Sequence, residues 1–142
     1  MTNQCTITEL YNYPVKSCRG TQVESAKISP TGVDGDRQLM IIKDGKFVNQ
    51  KRLPKLATVA THRLDDTTIE FTNDQSGSVT HSINPAGQEI EIDFYTNLIP
   101  VIDQGDSVAE WLSSIVEADV RVVALKSTFT RTVPLDEFAL VD

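Results

Sequence analysis

The sequence has few cysteines, few histidines and no long apolar run. Its two cysteines, Cys5 and Cys18, are too few for a disulfide scaffold, and neither has a second Cys or His at the spacing of a zinc site. No stretch approaches the roughly 18 consecutive apolar residues that a membrane-spanning helix needs. The first residues lack the basic and apolar regions of a secretion signal. These absences predict a cytoplasmic protein with reduced thiols, no metal site of its own and no membrane contact.

Charge is unevenly distributed along the 142 residues, a length that fits one domain with a sizeable core. Residues 1–55 hold nine of the 13 lysines and arginines and five acids, a balance of +4. Residues 56–142 hold the other four and 15 acids, a balance of −11. The overall acidity argues against a nucleic-acid partner. The basic first third indicates a local anion site.

Short alternating segments separated by turn signals predict a mainly β fold, an antiparallel barrel or sandwich. Asp44-Gly45, between two apolar runs, predicts a tight hairpin whose turn needs positive φ at both residues. In the segment 68–72, Ile69 and Phe71 share one face of a strand. The predicted strands cover residues 6–13, 22–28, 37–42, 68–72, 79–83, 89–94, 98–102 and 120–125.

One α-helix is predicted to cover the sheet near the end of the chain, over residues 107–117. Ser107 and Glu110 have the spacing of a capping box, in which each side chain satisfies a backbone N–H at the start of the helix. The apolar residues that follow recur at helical spacing and predict one buried stripe: Val108, Trp111, Leu112, Ile115 and Val116.

Three basic segments are candidates for anion binding. Lys16, Ser17 and Arg19 supply donors in a short loop between Pro14 and Gly20, as a phosphate oxygen requires. From the residues alone, a strand end with solvated charges is the favoured explanation of this loop, because short isolated motifs often occur by chance. In the segment 32–37, Asp36 is placed to hold the guanidinium of Arg37 for an anion; the alternative is a turn with a surface ion pair.

The third basic segment, residues 49–55, carries Lys51, Arg52 and Lys55, and forms either a positive patch for a ligand or an ordinary solvated face. The motifs of hydrolases, P-loop proteins and dinucleotide-binding proteins do not occur in the sequence. Cys18 lies beside Lys16 and Arg19, which would lower the pKa of its thiol, but a redox role is disfavoured because no second Cys and no His is near it in the sequence.

Taken together, these segments resemble the N-terminal β-barrel domain of MOSC proteins, a family that includes the mitochondrial amidoxime-reducing component and its bacterial relatives. The most specific element is Tyr-Pro-Val-Lys-Ser-Cys-Arg-Gly at 13–20. The resemblance continues, in the expected order, through 32–37, 50–57, 105–106 and 109–112 into 120–125. It implies an antiparallel barrel over residues 1–126, followed at 127–142 by a junction that leads toward a catalytic MOSC core.

The resemblance also implies a function. Family members carry a molybdenum cofactor, molybdopterin, and reduce N-hydroxylated compounds. Their catalytic core, with a molybdenum-ligating cysteine, lies C-terminal to the barrel, which helps to hold the terminal phosphate of the cofactor. Carried over to this sequence, Lys16 and Ser17 match the phosphate-contacting pair, and Arg37 matches the arginine of an Asp-Arg motif. The barrel would therefore bind cofactor together with a C-terminal MOSC core, in cis or in trans, and would not be catalytic alone.

Lys51 departs from the family pattern, which usually has arginine three residues before the proline of the third segment. A lysine cannot form the planar fork that binds an anion through two parallel hydrogen bonds. Lys51 nevertheless completes the predicted cofactor-binding set of Lys16, Ser17, Arg37 and Lys51. The alternative function is a standalone, non-enzymatic module whose basic segments bind a partner protein or another small phosphorylated ligand.

Overall fold

The computed structural model describes residues 2–129. Within this range the chain forms one α-helix, α1 (Asp106–Val116), a short 3-10 helix (Pro54–Thr58) and twelve strands: β1 (Leu10–Asn12), β2 (Thr21–Val23), β3 (Ile28–Ser29), β4 (Gly32–Val33), β5 (Leu39–Lys43), β6 (Lys46–Phe47), β7 (Ala60–Arg63), β8 (Thr68–Asn73), β9 (Gly77–Ser82), β10 (Glu89–Phe94), β11 (Asn97–Asp103) and β12 (Arg121–Leu125).

Five of these strands close into a barrel in the order β10-β11-β12-β5-β6. Its pairs are antiparallel except for β10 and β6, which run parallel where Asp93 lies opposite Lys46. A three-stranded sheet, β7-β8-β9, and two two-stranded sheets, β1-β2 and β3-β4, lie outside the closed barrel. The predicted mainly β fold with a barrel is therefore confirmed.

Strand β5 connects two hydrophobic cores, because its alternate side chains point to opposite faces. Met40 and Ile42 pack in a cluster built from the barrel strands, with residues such as Ile92 and Val101. Leu39 and Ile41 pack in the larger cluster, which also holds residues of β8, the 3-10 helix and α1: Leu56, Ile69, Phe71, Val108 and Leu112. Because the side chains on both faces of β5 are buried, this strand is a fixed point of attachment for a loop that bonds to its first residue.

The covering helix is confirmed, and its start differs from the prediction. Helix α1 packs against β9, β12 and the 3-10 helix, and the predicted stripe is buried apart from Trp111, which is half-buried. The capping box was wrong: the helix begins one residue early, with Gly105 as N-cap and no side-chain cap bond. Ser107 is therefore already inside the first turn, where its hydroxyl does not occupy the N-cap position.

The hairpin predicted at Asp44-Gly45 is confirmed by the backbone of its turn. Asp44 and Gly45 both have positive φ, 51° and 71°, between β5 and β6. The first strand is shorter than predicted, because only three of its residues pair with the equally short β2.

No helix in the described part of the chain could cross a membrane. The predicted junction from 127 onward lies almost wholly outside the described residues, so the domain boundary stays a prediction.

Candidate anion-binding site

The loop that carries Lys16 and Ser17 is attached to the start of β5. The backbone N–H of Lys16 donates to the carbonyl of Leu39 over 2.8 Å, and the N–H of Leu39 donates to the carbonyl of Pro14 over 3.0 Å. Val15, between them, is fully buried in the larger core. Ser17 then adopts a left-handed backbone with φ of 76°, a conformation that costs energy in a residue with a side chain and that recurs at functional sites.

Arg37 lies beside the Lys16 loop, in the turn that precedes β5. The backbone N–H of Tyr13 donates to Asp36 Oδ1 over 2.9 Å, and the N–H of Arg37 donates to the carbonyl of Tyr13 over 2.7 Å. The Arg37 guanidinium bonds the other carboxylate oxygen of Asp36 and lies 4.8 Å from the centre of the Tyr13 ring. Arg37 also has a left-handed backbone, with φ of 47°. Its orientation is thus fixed by a carboxylate and an aromatic face.

These elements enclose one depression, the Lys16 pocket, of about 270 Å³. Lys16 Nζ lies 5.2 Å from the centre of the Phe47 ring and 5.7 Å from that of Phe94, distances at which an aromatic face attracts an ammonium. Three of the four predicted site residues line the pocket. Its full lining is Tyr13, Lys16, Ser17, Arg37, Phe47, Asn49 and Tyr95.

Lys51, the fourth predicted residue, lies in a separate neighbouring depression. This Lys51 pocket has a volume of about 620 Å³ and is lined by Lys46, Phe47, Asn49, Lys51, Arg52, Asp93 and Tyr95. Phe47, Asn49 and Tyr95 line both pockets. Arg19, which the sequence grouped with Lys16, lines a third depression beside Asn73 and Glu117. The structure therefore brings Lys16, Ser17 and Arg37 together, sets Lys51 next to them and separates Arg19 from them.

Four residues that line the Lys16 pocket were not among the predicted site residues: Tyr13, Phe47, Asn49 and Tyr95. Tyr95 comes from the turn between β10 and β11, and no local motif marks it as part of a site. Asn49 was seen only as the first residue of a basic segment. Its side-chain Oδ1 accepts the N–H of Lys51 over 3.1 Å, and its carbonyl accepts the N–H of Arg52 over 3.0 Å. An Asn side chain that accepts the backbone N–H two residues further on forms an Asx turn, so Asn49 itself is the signal in the sequence.

Comparison with known proteins identifies the family. The sequence family described as the MOSC N-terminal beta barrel domain matches residues 4–119. The chain belongs to this family. A relative called molybdenum cofactor sulfurase, from Danio rerio, is 26% identical over 136 residues, which cover 91% of this chain and 16% of that protein. The protein called mitochondrial amidoxime reducing component 2, from Macaca fascicularis, is 29% identical over 121 residues, 81% of this chain and 36% of that protein.

This MOSC N-terminal barrel thus spans well under half the length of the curated relatives that it matches. A similar fold occurs in the solution structure of a protein from Bordetella bronchiseptica. The TM-score is 0.59 at 14% identity, and the match covers 78% of this chain and 95% of that one. This likeness supports the architecture of the barrel.

Cys18 of the MOSC N-terminal barrel does not have the reactive thiol that its sequence neighbours suggested. The residue is 2% exposed, in the larger core. Burial raises the pKa of the Cys18 thiol to about 12, because an apolar environment disfavours the thiolate. The prediction of a lowered pKa was therefore wrong: the side chain points away from its charged neighbours, into the core. Among residues 2–129, no cluster of His, Cys, Asp and Glu is suited to hold a metal ion.

Thiol labelling tests this burial directly. Because Cys5 is exposed and Cys18 is buried, we expect the native protein to react quickly with about one equivalent of iodoacetamide at neutral pH. Unfolding in guanidinium should release the second thiol. Mass spectrometry of peptides identifies the labelled residue, and Cys5→Ser provides the control in which native labelling disappears. Rapid native labelling of Cys18 would contradict the assignment of this thiol to the core.

Proposed function

We propose that this barrel holds the terminal phosphate of a molybdenum cofactor through Lys16, Ser17 and Arg37. The proposal includes a MOSC catalytic core, in cis or in trans, that completes a molybdenum-dependent oxidoreductase. The single observation that carries it is the Lys16 pocket, where side chains from two separate loops converge. Relatives named for the molybdenum cofactor and for amidoxime reduction support this choice of ligand. When bound, the cofactor would supply redox chemistry at its metal.

The chemistry of the donors fits a phosphate group. Lys16 offers an ammonium, Ser17 a hydroxyl and Arg37 a planar guanidinium, and charge-assisted hydrogen bonds from such groups to phosphate are the strong ones. One carboxylate lies beside them, that of Asp36. Its oxygens already accept bonds from the Tyr13 N–H and the Arg37 guanidinium. Asp36 therefore orients Arg37 while its own charge is offset by two donors.

The scaffold limits the freedom of these donors before any ligand binds. Leu39 and Val15 anchor the Lys16 loop to the barrel, and the Phe47 ring restricts the lysine ammonium. A site whose side chains are already restrained loses less conformational entropy on binding than an open surface does. The role of this chain would be to bind and orient the cofactor.

The change Lys16→Ala tests the proposal in the longest polypeptide that the gene encodes. We expect molybdenum retained per protein after dialysis to fall clearly, because one charge-assisted hydrogen bond is worth about 10- to 100-fold in affinity. Molybdenum is measured by mass spectrometry of the metal. Lys43→Ala is the matched control: it removes the same charge from the nearby β5 hairpin, where Lys43 pairs with Asp44 outside the pocket.

Equal molybdenum content in the Lys16→Ala and Lys43→Ala proteins, with both folded by circular dichroism, would count against the proposal. A wild-type protein that binds inorganic phosphate in this pocket but never retains molybdenum would favour the alternative module for another phosphorylated ligand.

A further inference from the structure

The Lys51 pocket contains an excess of positive charge. Three cations, Lys46, Lys51 and Arg52, share it with one carboxylate, that of Asp93. Within residues 2–129, none of these three cations forms an ion pair, whereas Lys43, Lys55 and Lys126 each bond a carboxylate. Cations that line a concave surface focus the electrostatic potential on a bound anion more effectively than cations scattered over a convex one.

The two pockets are connected through both backbone and side chains. Gln50 Nε2 donates to the carbonyl of Ser17 over 2.9 Å, which ties the basic turn to the Lys16 loop. The side chain and carbonyl of Asn49 accept the backbone N–H groups of Lys51 and Arg52. The position of Lys51 and Arg52 relative to Ser17 is therefore set by hydrogen bonds that a solvated surface segment would not require.

A rigid aromatic side chain lies along the boundary of the two pockets. Tyr95 is 68% exposed, yet its ring packs edge-on against Phe94, with 4.8 Å between the ring centres, and lies 5.9 Å from Phe47. Phe47, Asn49 and Tyr95 line both pockets, so the two pockets adjoin along these three residues, and we call the pair the trough. A single extended ligand can lie along this trough with an anionic group in each half.

We propose that the Lys51 pocket is a second phosphoryl subsite, so that the trough binds a diphosphate ester and not a phosphate monoester alone. This inference rests on the proposed phosphate site, because it assigns the first phosphoryl group to Lys16, Ser17 and Arg37. The second phosphoryl group binds Lys51 and Arg52, and Lys46 adds charge to the same subsite. A group attached beyond the second phosphoryl extends over the Tyr95 ring.

Titration calorimetry with simple probes tests the second subsite on this chain. The probes are inorganic phosphate, pyrophosphate and adenosine mono- and diphosphate, at one fixed ionic strength because such affinities depend on salt. We expect pyrophosphate and the diphosphate to bind about tenfold or more tightly than phosphate and the monophosphate. Lys51→Ala and Arg52→Ala should each remove most of that gain while changing phosphate affinity by less than about twofold. Lys43→Ala, with the same loss of charge as Lys51→Ala, should keep the gain.

The inference is overturned if pyrophosphate gains nothing over phosphate, or if Lys51→Ala and Lys43→Ala have equal effects. It is also overturned if the affinity of adenosine monophosphate exceeds that of phosphate by as much as the affinity of pyrophosphate does, since the extra affinity would then come from the adenosine. The failure of the first phosphate site has a different signature: Lys16→Ala would leave phosphate affinity unchanged. If Lys16→Ala lowers phosphate affinity but Lys51→Ala and Lys43→Ala have equal effects on pyrophosphate affinity, the first phosphate site is supported and the second subsite is contradicted.

Discussion

Replacing Leu39 with alanine is expected to lower the free energy of unfolding by about 2–5 kcal/mol, the range for a buried leucine whose removal leaves a cavity. Leu39 is fully buried in the larger core, at the start of β5. Its backbone bonds both Pro14 and Lys16. The cavity would therefore open directly beneath the loop that presents Lys16 and Ser17. Urea unfolding followed by circular dichroism measures the loss.

The matched control is Leu98→Ala, the same change in barrel strand β11 at a side chain that is 63% exposed. We expect the free energy of unfolding to change there by less than about 0.5 kcal/mol, as for most surface substitutions. The difference between the two variants isolates burial, because both remove the same atoms from a strand. Similar losses in the two proteins would contradict the burial of the Leu39 side chain in the larger core.

The elements that local patterns determine were predictable from the sequence. Asp44-Gly45 specified its hairpin because few residue pairs tolerate two positive φ angles. Strand β8 was predicted within one residue because Ile69 and Phe71 alternate with polar residues and are buried. Strand β7 was missed because its four residues, Ala60–Arg63, show no apolar alternation. Strand β7 is instead held in place by contacts with residues distant in sequence. Thr61 is fully buried, and its hydroxyl donates to the carbonyl of Arg19 over 3.1 Å.

The residues of the candidate site could be chosen from the sequence, whereas their arrangement in space could be predicted only in part. Donor type and family resemblance selected Lys16, Ser17 and Arg37, and the fold brings them to one pocket. The sequence could not show that Lys51 lies beyond a shared wall, because Tyr95 reaches that wall from a turn over forty residues further along the chain. It also misjudged Cys18, because adjacent charges in sequence carry no information about the direction of a side chain.

A carboxylate–guanidinium pair joins the end of β11 to the start of β12. Removing its carboxylate is the second change that we expect to have a large effect on stability. Arg121 Nε donates to Asp103 Oδ2 over 2.8 Å, a second guanidinium nitrogen bonds Asp103 Oδ1, and the N–H of Gly105 donates to the same carboxylate over 2.8 Å. The Asp103 side chain is 13% exposed and that of Arg121 is 34% exposed. Losing one partner of a buried pair costs about 3–5 kcal/mol. Because Arg121 is partly solvated and keeps a second carboxylate partner, Asp106, we expect Asp103→Asn to cost about 2 kcal/mol at neutral pH.

The pH dependence of this loss identifies its electrostatic origin. The hydrogen bond from Arg121 holds the pKa of Asp103 below its ordinary value, and burial opposes this only in part. A carboxyl with a lowered pKa in the folded state adds stability that is fully present above its unfolded pKa of about 3.9 and is lost as the pH falls through the folded value. The gap between wild type and Asp103→Asn should therefore be constant above about pH 5 and shrink below about pH 4.

Urea unfolding between neutral and acidic pH measures this gap between the Asp103→Asn variant and the wild type. Asp74→Asn is the control, because Asp74 is exposed and forms no ion pair within residues 2–129. That variant should follow the wild-type stability at every pH. A gap for Asp103→Asn that stays constant down to the acid limit would mean that the loss comes from packing, and the pair would then have no part in the acid stability of the barrel. A gap that closes shows that the charge on Asp103 holds the start of β12 to the end of β11.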